Sequence, residues 1–117
     1  MGIELLHAAV EAVMEKKAIE PLVLGLAKLT ALIDYFLICS AQRPLQVKAI
    51  ADRLKEVMDD AGQTLLHAEG DPEAGWVLLD YGWLVAHIML HEQREFYQLE
   101  RLWHDAERIE AGVSSLE

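Results

Sequence analysis

The run DYFLICSA at 34–41, followed after a proline by LQVKAIADRLKEVMDDAG at 45–62, sets the tightest limit on what this chain folds into. The first stretch is rich in aromatic and aliphatic residues and reads as a buried strand. Beyond Pro44 the apolar period changes. Val47, Ile50, Leu54, Val57 and Met58 recur at helical spacing on one stripe, and Gly62 supplies a stop. A buried strand leading into a one-sided helix needs further strands beside it and a second layer around it.

The rest of the chain offers both. Residues 3–17 place Ile3, Leu6, Val10, Val13 and Met14 at helical spacing with Glu4, Glu11, Glu15 and Lys16 elsewhere, so they predict an amphipathic first helix, and Pro21 prevents its continuation. LVLGLAKL at 22–29 predicts a short strand, antiparallel to 34–41. TLLHAEG, WVLLDYG and WLVAHIML predict three more, with a turn at DPEAG, and EQREFYQLERLWHDAERI predicts a third helix. The expected fold is α/β: a mixed five-stranded sheet packed with three main helices in one domain spanning 1–117, with a right-handed crossover.

Charge narrows the partners. Twenty acidic against ten basic residues give a net charge of −10, which disfavours direct nucleic-acid binding, because that binding relies on cationic side chains displacing counterions. A basic protein is the better match. The single cysteine, Cys39, cannot close an intrachain disulfide, and a reducing compartment is expected. No signal peptide is read at the start, and Asp34, Asp80 and His87 interrupt the best candidates for a membrane span.

Signals for catalysis are weak. Neither a GxGxxG nor a GxxxxGK[ST] loop occurs, Ser40 has no G-x-S-x-G context, and Cys39 sits where apolar surroundings raise a thiol pKa. Of five histidines, His87 and His91 stand four apart, but on a strand that spacing separates them by about 13 Å, too far to share an ion. No metal or cofactor is expected. His87 alone interrupts the apolar strand LVAHIML, either as a core histidine satisfied by a neighbour or as a partner contact.

What remains is a C-terminal concentration of large rings: Trp76, Tyr81, Trp83, Phe96, Tyr97 and Trp103, beside Asp80, Glu92, Glu95, Glu100 and Asp105. Such composition suits a protein-binding patch or a core, and phase decides between them. On the last helix Phe96, Leu99 and Trp103 fall on one inward arc, while Tyr97, about 100° round from Phe96, points to polar neighbours. On WVLLDYG, alternation puts Trp76, Leu78 and Asp80 on one face and Val77, Leu79 and Tyr81 on the other. An unpaired buried Asp80 would be costly, so its face should be partly open or hold a cation.

DYFLICSA, QVKAIAD, WVLLDYG with its following His-bearing strand, and REFYQLERLW occur in the order and approximate spacing of the Iojap family, the ribosomal silencing factors RsfS, which the chain resembles over roughly residues 3–106. The resemblance implies a nucleotidyltransferase-like fold without a catalytic motif. It implies binding to ribosomal protein L-fourteen of the large subunit, steric blocking of subunit joining, repression of translation under nutrient limitation, and a cytoplasmic location for bacterial members. It also allows a homodimer. Carried over, the partner-binding surface comprises Trp76, Asp80, Tyr81, His87, Phe96, Tyr97, Glu100 and Trp103. Phase favours Trp76 and Tyr97 as anchors, with Asp80 and Glu100 as acidic complements and Phe96 and Trp103 mainly structural. Where the family often has Gly, Ser and Arg, this chain has Ala41, Pro44 and Leu45. The alternative, a phosphate-handling nucleotidyltransferase, needs a carboxylate pair that does not follow CSAQRP.

Overall fold

The computed structural model describes residues 3–29, 31–98, 101 and 106–109. Among the described residues, three helices and six strands occur in the order α1 (Ile3–Glu15), β1 (Ile19–Gly25), β2 (Tyr35–Ala41), α2 (Pro44–Asp60), β3 (His67–Asp71), β4 (Trp76–Asp80), β5 (Leu84–Leu90), α3 (His91–Tyr97) and β6 (Glu107–Arg108). One sheet contains all six strands in the order β3-β4-β5-β2-β1-β6. β2 and β5 run parallel at its centre, and the outer pairs are antiparallel, as expected for β1 and β2.

α1 and α2 cover one face of the sheet. Leu6, Val10 and Val13 of α1 and Val47, Ile50, Leu54 and Met58 of α2 meet Leu37, Cys39, Val77, Leu79, Ala86 and Ile88 in the main core. Each large aliphatic buried there contributes about 1.5–3 kcal/mol. The opposite face carries a smaller cluster of Leu24, Leu26, Phe36, Ile38 and Val85. β2 and β5 therefore bury both faces, which is why neither alternates in sequence.

The helix ends follow from local chemistry. Pro44, lacking an N–H, stands in the first turn of α2, where none is needed. Gly62, at φ 79°, closes the other end: its N–H bonds the Asp59 carbonyl and the Gln63 N–H bonds that of Met58. Gln46 ties the two helices together, its amide donating to the carbonyls of Lys16 and Lys17 at 3.1 and 3.0 Å. Arg53 of α2 also pairs with Glu15 of α1.

Three expectations change. β1 covers Ile19–Gly25 and not 22–29, because a register shift between Ile19 and Leu22 lets the strand carry Pro21 without a broken ladder bond. The sheet has six strands, since Glu107 and Arg108 pair with Gly25 and Leu24 and do not prolong the last helix. That helix is also far shorter than 92–109. α3 closes at Tyr97, where Gln98 turns left-handed at φ 49° and its N–H bonds the Arg94 carbonyl.

The turn before β4 fixes α3 against the sheet. Asp71 accepts the Ala74 N–H on its side chain at 2.9 Å, and the Gly75 carbonyl accepts the Leu90 N–H at 2.9 Å. Gly75 has φ 83°, and a Cβ there would stand 3.0 Å from Gln93 Cγ and 3.1 Å from Leu90 Cδ1. Gly75→Ala is expected to lower stability by about 1–2 kcal/mol through left-handed strain and displaced neighbours, read as a lower urea midpoint with an unchanged slope.

Candidate partner-binding surface

Four of the eight residues expected on the surface meet at one end of β4. Trp76 opens that strand and lies opposite Met89, and Leu78 lies opposite His87. The alternation of β4 is the expected one: Val77 and Leu79 are buried against the helices, while Trp76, Leu78 and Asp80 are half-buried on the other side. α3 leaves the end of β5 without a loop and brings its last turn over this face.

The result is a chain of rings running from interior to surface. Phe36 stands edge-on to His87 with centroids 4.8 Å apart, His87 lies 5.9 Å from Trp76, Trp76 5.0 Å from Tyr97, and Tyr97 5.0 Å from Phe96 at 90°. Exposure rises outward from His87, which is 5% exposed, to Tyr97 at 49% and Phe96 at 79%. The expected inward position of Phe96 is thus wrong, and the mostly exposed ring belongs to the patch. Helical spacing alone places an aromatic on the inner arc. Instead Arg94 faces in, and it is 8% exposed.

Arg94 was missed because a cation is not expected to face a core. Its Nη1 donates to the Ile19 and Glu20 carbonyls at 3.1 and 2.8 Å and lies 3.4 Å from Ser40 Oγ. These carbonyls sit at the irregular start of β1, where Glu20 has φ 46° and Pro21 follows. One side chain therefore ties α3 to β1 and β2. A sequence signal existed in the proline that disturbs the ladder, but not in Arg94 itself.

The imidazole of His87 is held by the indole of Trp76. The Trp76 Nε1–H donates to His87 Nδ1 at 3.2 Å. Because an indole can only donate, Nδ1 must carry the lone pair, and the neutral ring has its proton on Nε2. Burial pushes the His87 pKa down to about 4. His87 is accordingly a core residue with a neighbour, and it is not open to direct contact.

The other expected residues do not join the rings. Asp80 lies on the Trp76 face at the far end of the strand, roughly 13 Å along it, and its Oδ1 accepts the Gly82 N–H at 2.7 Å, so a turn and not a cation satisfies it. Tyr81 is withdrawn from the surface: 6% exposed, it joins the helix-side core, where burial and the nearby Asp59 carboxylate push its hydroxyl up to about 12. Glu100 and Trp103, with Leu99, lie outside the described residues. Glu92 and Glu95 flank the patch as exposed acids, and Glu95 pairs with His91 at 2.8 Å.

Little here resembles a reaction centre. Burial raises the Cys39 thiol to about 12, which keeps it protonated. Among the described residues no three His, Cys, Asp or Glu side chains converge to hold a metal ion, and no helix is long and apolar enough to cross a membrane.

An α/β sheet that presents a graded row of rings beside acidic side chains is suited to contact with another macromolecule. The chain matches the family described as "Ribosomal silencing factor during starvation" over residues 2–117. It is 42% identical over 113 residues to the ribosomal silencing factor RsfS of Halalkalibacterium halodurans, covering 96% of this chain and 97% of that one. A crystal structure of a Chromobacterium violaceum protein superposes with a TM-score of 0.84 at 33% identity, covering 89% of this chain and 88% of the other. A mouse relative named "Mitochondrial assembly of ribosomal large subunit protein 1" is 33% identical over 73 residues, 60% of this chain and 32% of that protein. The chain belongs to the ribosomal silencing factor family.

Proposed function

We propose that this chain, as a single cytoplasmic domain, docks on ribosomal protein L-fourteen of the large subunit and sterically blocks joining of the small subunit, lowering translation when nutrients are short. The observation that carries this reading is the open end of the ring row, where Tyr97 and Phe96 stand exposed on a Trp76 that the sheet holds in place. Large rings in a partly dry setting are the groups that dominate binding energy at interfaces. The net charge of −10 favours approach to a basic ribosomal protein. The name of the mouse relative points to the same subunit. No bond needs to be made or broken, and mass action sets the silenced fraction from the affinity and concentration of the factor.

The test is a sucrose gradient with purified subunits. The added protein should cosediment with large subunits and reduce the joined peak. Tyr97→Ala should weaken that binding by roughly tenfold to thirtyfold while the unfolding midpoint moves little, because the ring is half exposed. Wild-type cosedimentation by Tyr97→Ala would remove the ring patch from the docking surface. Failure of the native protein to bind large subunits at all would remove the function.

A further inference from the structure

His87 poses a physical problem. Its Nε2, which bears the proton, is fully buried and has no hydrogen-bond partner among the described residues. An orphaned buried donor is costly, and an apolar ring of similar size would avoid that cost while keeping the contacts with Phe36 and Trp76. A phenyl ring would serve the core better in every respect but one: it has no lone pair for the Trp76 indole. The Nδ1 acceptor is therefore what the imidazole supplies, and the group that receives it begins the exposed half of the ring row.

The consequence for Trp76 is orientation. Indole rings in contact with Tyr97 on one side can rotate about χ1 and χ2 unless something holds them, and a hydrogen bond at Nε1 selects one rotamer. With its only donor turned inward, Trp76 leaves ring carbon and not an N–H for contact. Tyr97 and Phe96 then stack outward from a fixed base. Burial keeps His87 uncharged near neutral pH, so its Nδ1 remains an acceptor throughout that range.

We propose that His87 is a positioning residue for docking, whose Nδ1 locks the Trp76 indole in the orientation the partner meets. This inference rests on the reading that the ring patch binds the large subunit. Two substitutions separate the lock from mere packing. His87→Phe removes the acceptor and the orphaned donor together. His87→Asn places an amide oxygen near the position of Nδ1 in a smaller side chain. Docking should weaken roughly threefold to tenfold in His87→Phe and largely recover in His87→Asn. Thermal stability should run the other way: the Phe variant sheds the orphaned Nε2–H while the half-buried Trp76 N–H, freed of its acceptor, turns to water, so it should stay near wild type, and the Asn variant should be less stable. A purely structural role would make affinity follow stability.

Nitrogen–proton NMR of the full chain reads the lock without any ribosome. The Trp76 indole proton, assigned by its loss in Trp76→Phe, should move upfield in His87→Phe and stay near the wild-type position in His87→Asn. An unmoved resonance in His87→Phe would overturn the lock itself. If His87→Phe binds normally while Trp76→Ala loses binding, the positioning role fails and the docking reading stands. If Trp76→Ala binds normally, the docking reading fails and takes this role with it.

Discussion

Replacing Arg94 by Met should lower stability by about 2–4 kcal/mol, the largest loss expected from any one side chain of α3. Methionine can fill much of the space, so the loss is not a matter of volume. What disappears is a charged donor serving two main-chain carbonyls, and hydrogen bonds to charged groups are worth about 1.5–3 kcal/mol each in net terms. The Ile19 carbonyl keeps the Ser40 hydroxyl of β2, which donates to it at 3.3 Å, so the loss falls mainly on the Glu20 carbonyl at the irregular start of β1. Urea unfolding at pH 7 measures the effect as a lower midpoint. Function should fall with it, since the tether holds the helix that carries Phe96 and Tyr97. A midpoint within experimental error of wild type would show that α3 is seated by other contacts.

Acid should single out His87. Its folded pKa of about 4 lies below the ordinary 6.5, so the unfolded chain takes up the proton first. The sign follows directly. Above pH 6.5 neither state is protonated and stability is complete. As pH falls from 6.5 toward 4, protons bind the unfolded state alone and stability drains. Below about 4 both states are charged and the loss stops growing. The gap is worth about 3 kcal/mol at pH 4. Carboxylates titrate over part of this window too, so the measurement is a comparison: unfolding free energies of the native protein and His87→Phe at pH 7 and pH 4. The native protein should lose about 3 kcal/mol more than the variant. Equal losses would mean that burial does not hold this imidazole neutral.

The elements read most accurately from sequence were those with a strong period. α2 and β5 lie within a residue or so of their expected limits, because a stripe repeating every three to four residues and an unbroken apolar run are local statements about burial. Alternation in β4 also placed Trp76 and Asp80 on one face and Tyr81 on the other, as observed. The same logic failed on α3. Apolar spacing presumed a long helix with a ring-bearing inner stripe, whereas the chain turns left-handed at Gln98 and buries an arginine. Phe96 is outside for that reason.

The sequence by itself determined that a mixed sheet forms, that amphipathic helices pack against it, and that large rings gather toward the C-terminal part beside acids. Those facts follow from side-chain polarity and spacing, which are properties of neighbouring residues. Only the tertiary structure decided which rings meet. His87, Trp76 and Tyr97 come from three different elements, and their order from core to solvent depends on strand register and on the seat of α3. Arg94 contributes to that seat by reaching carbonyls 74 and 75 residues away in the chain. A bond across such a separation has no periodic signature, because nothing about either end marks it until the fold brings the two together.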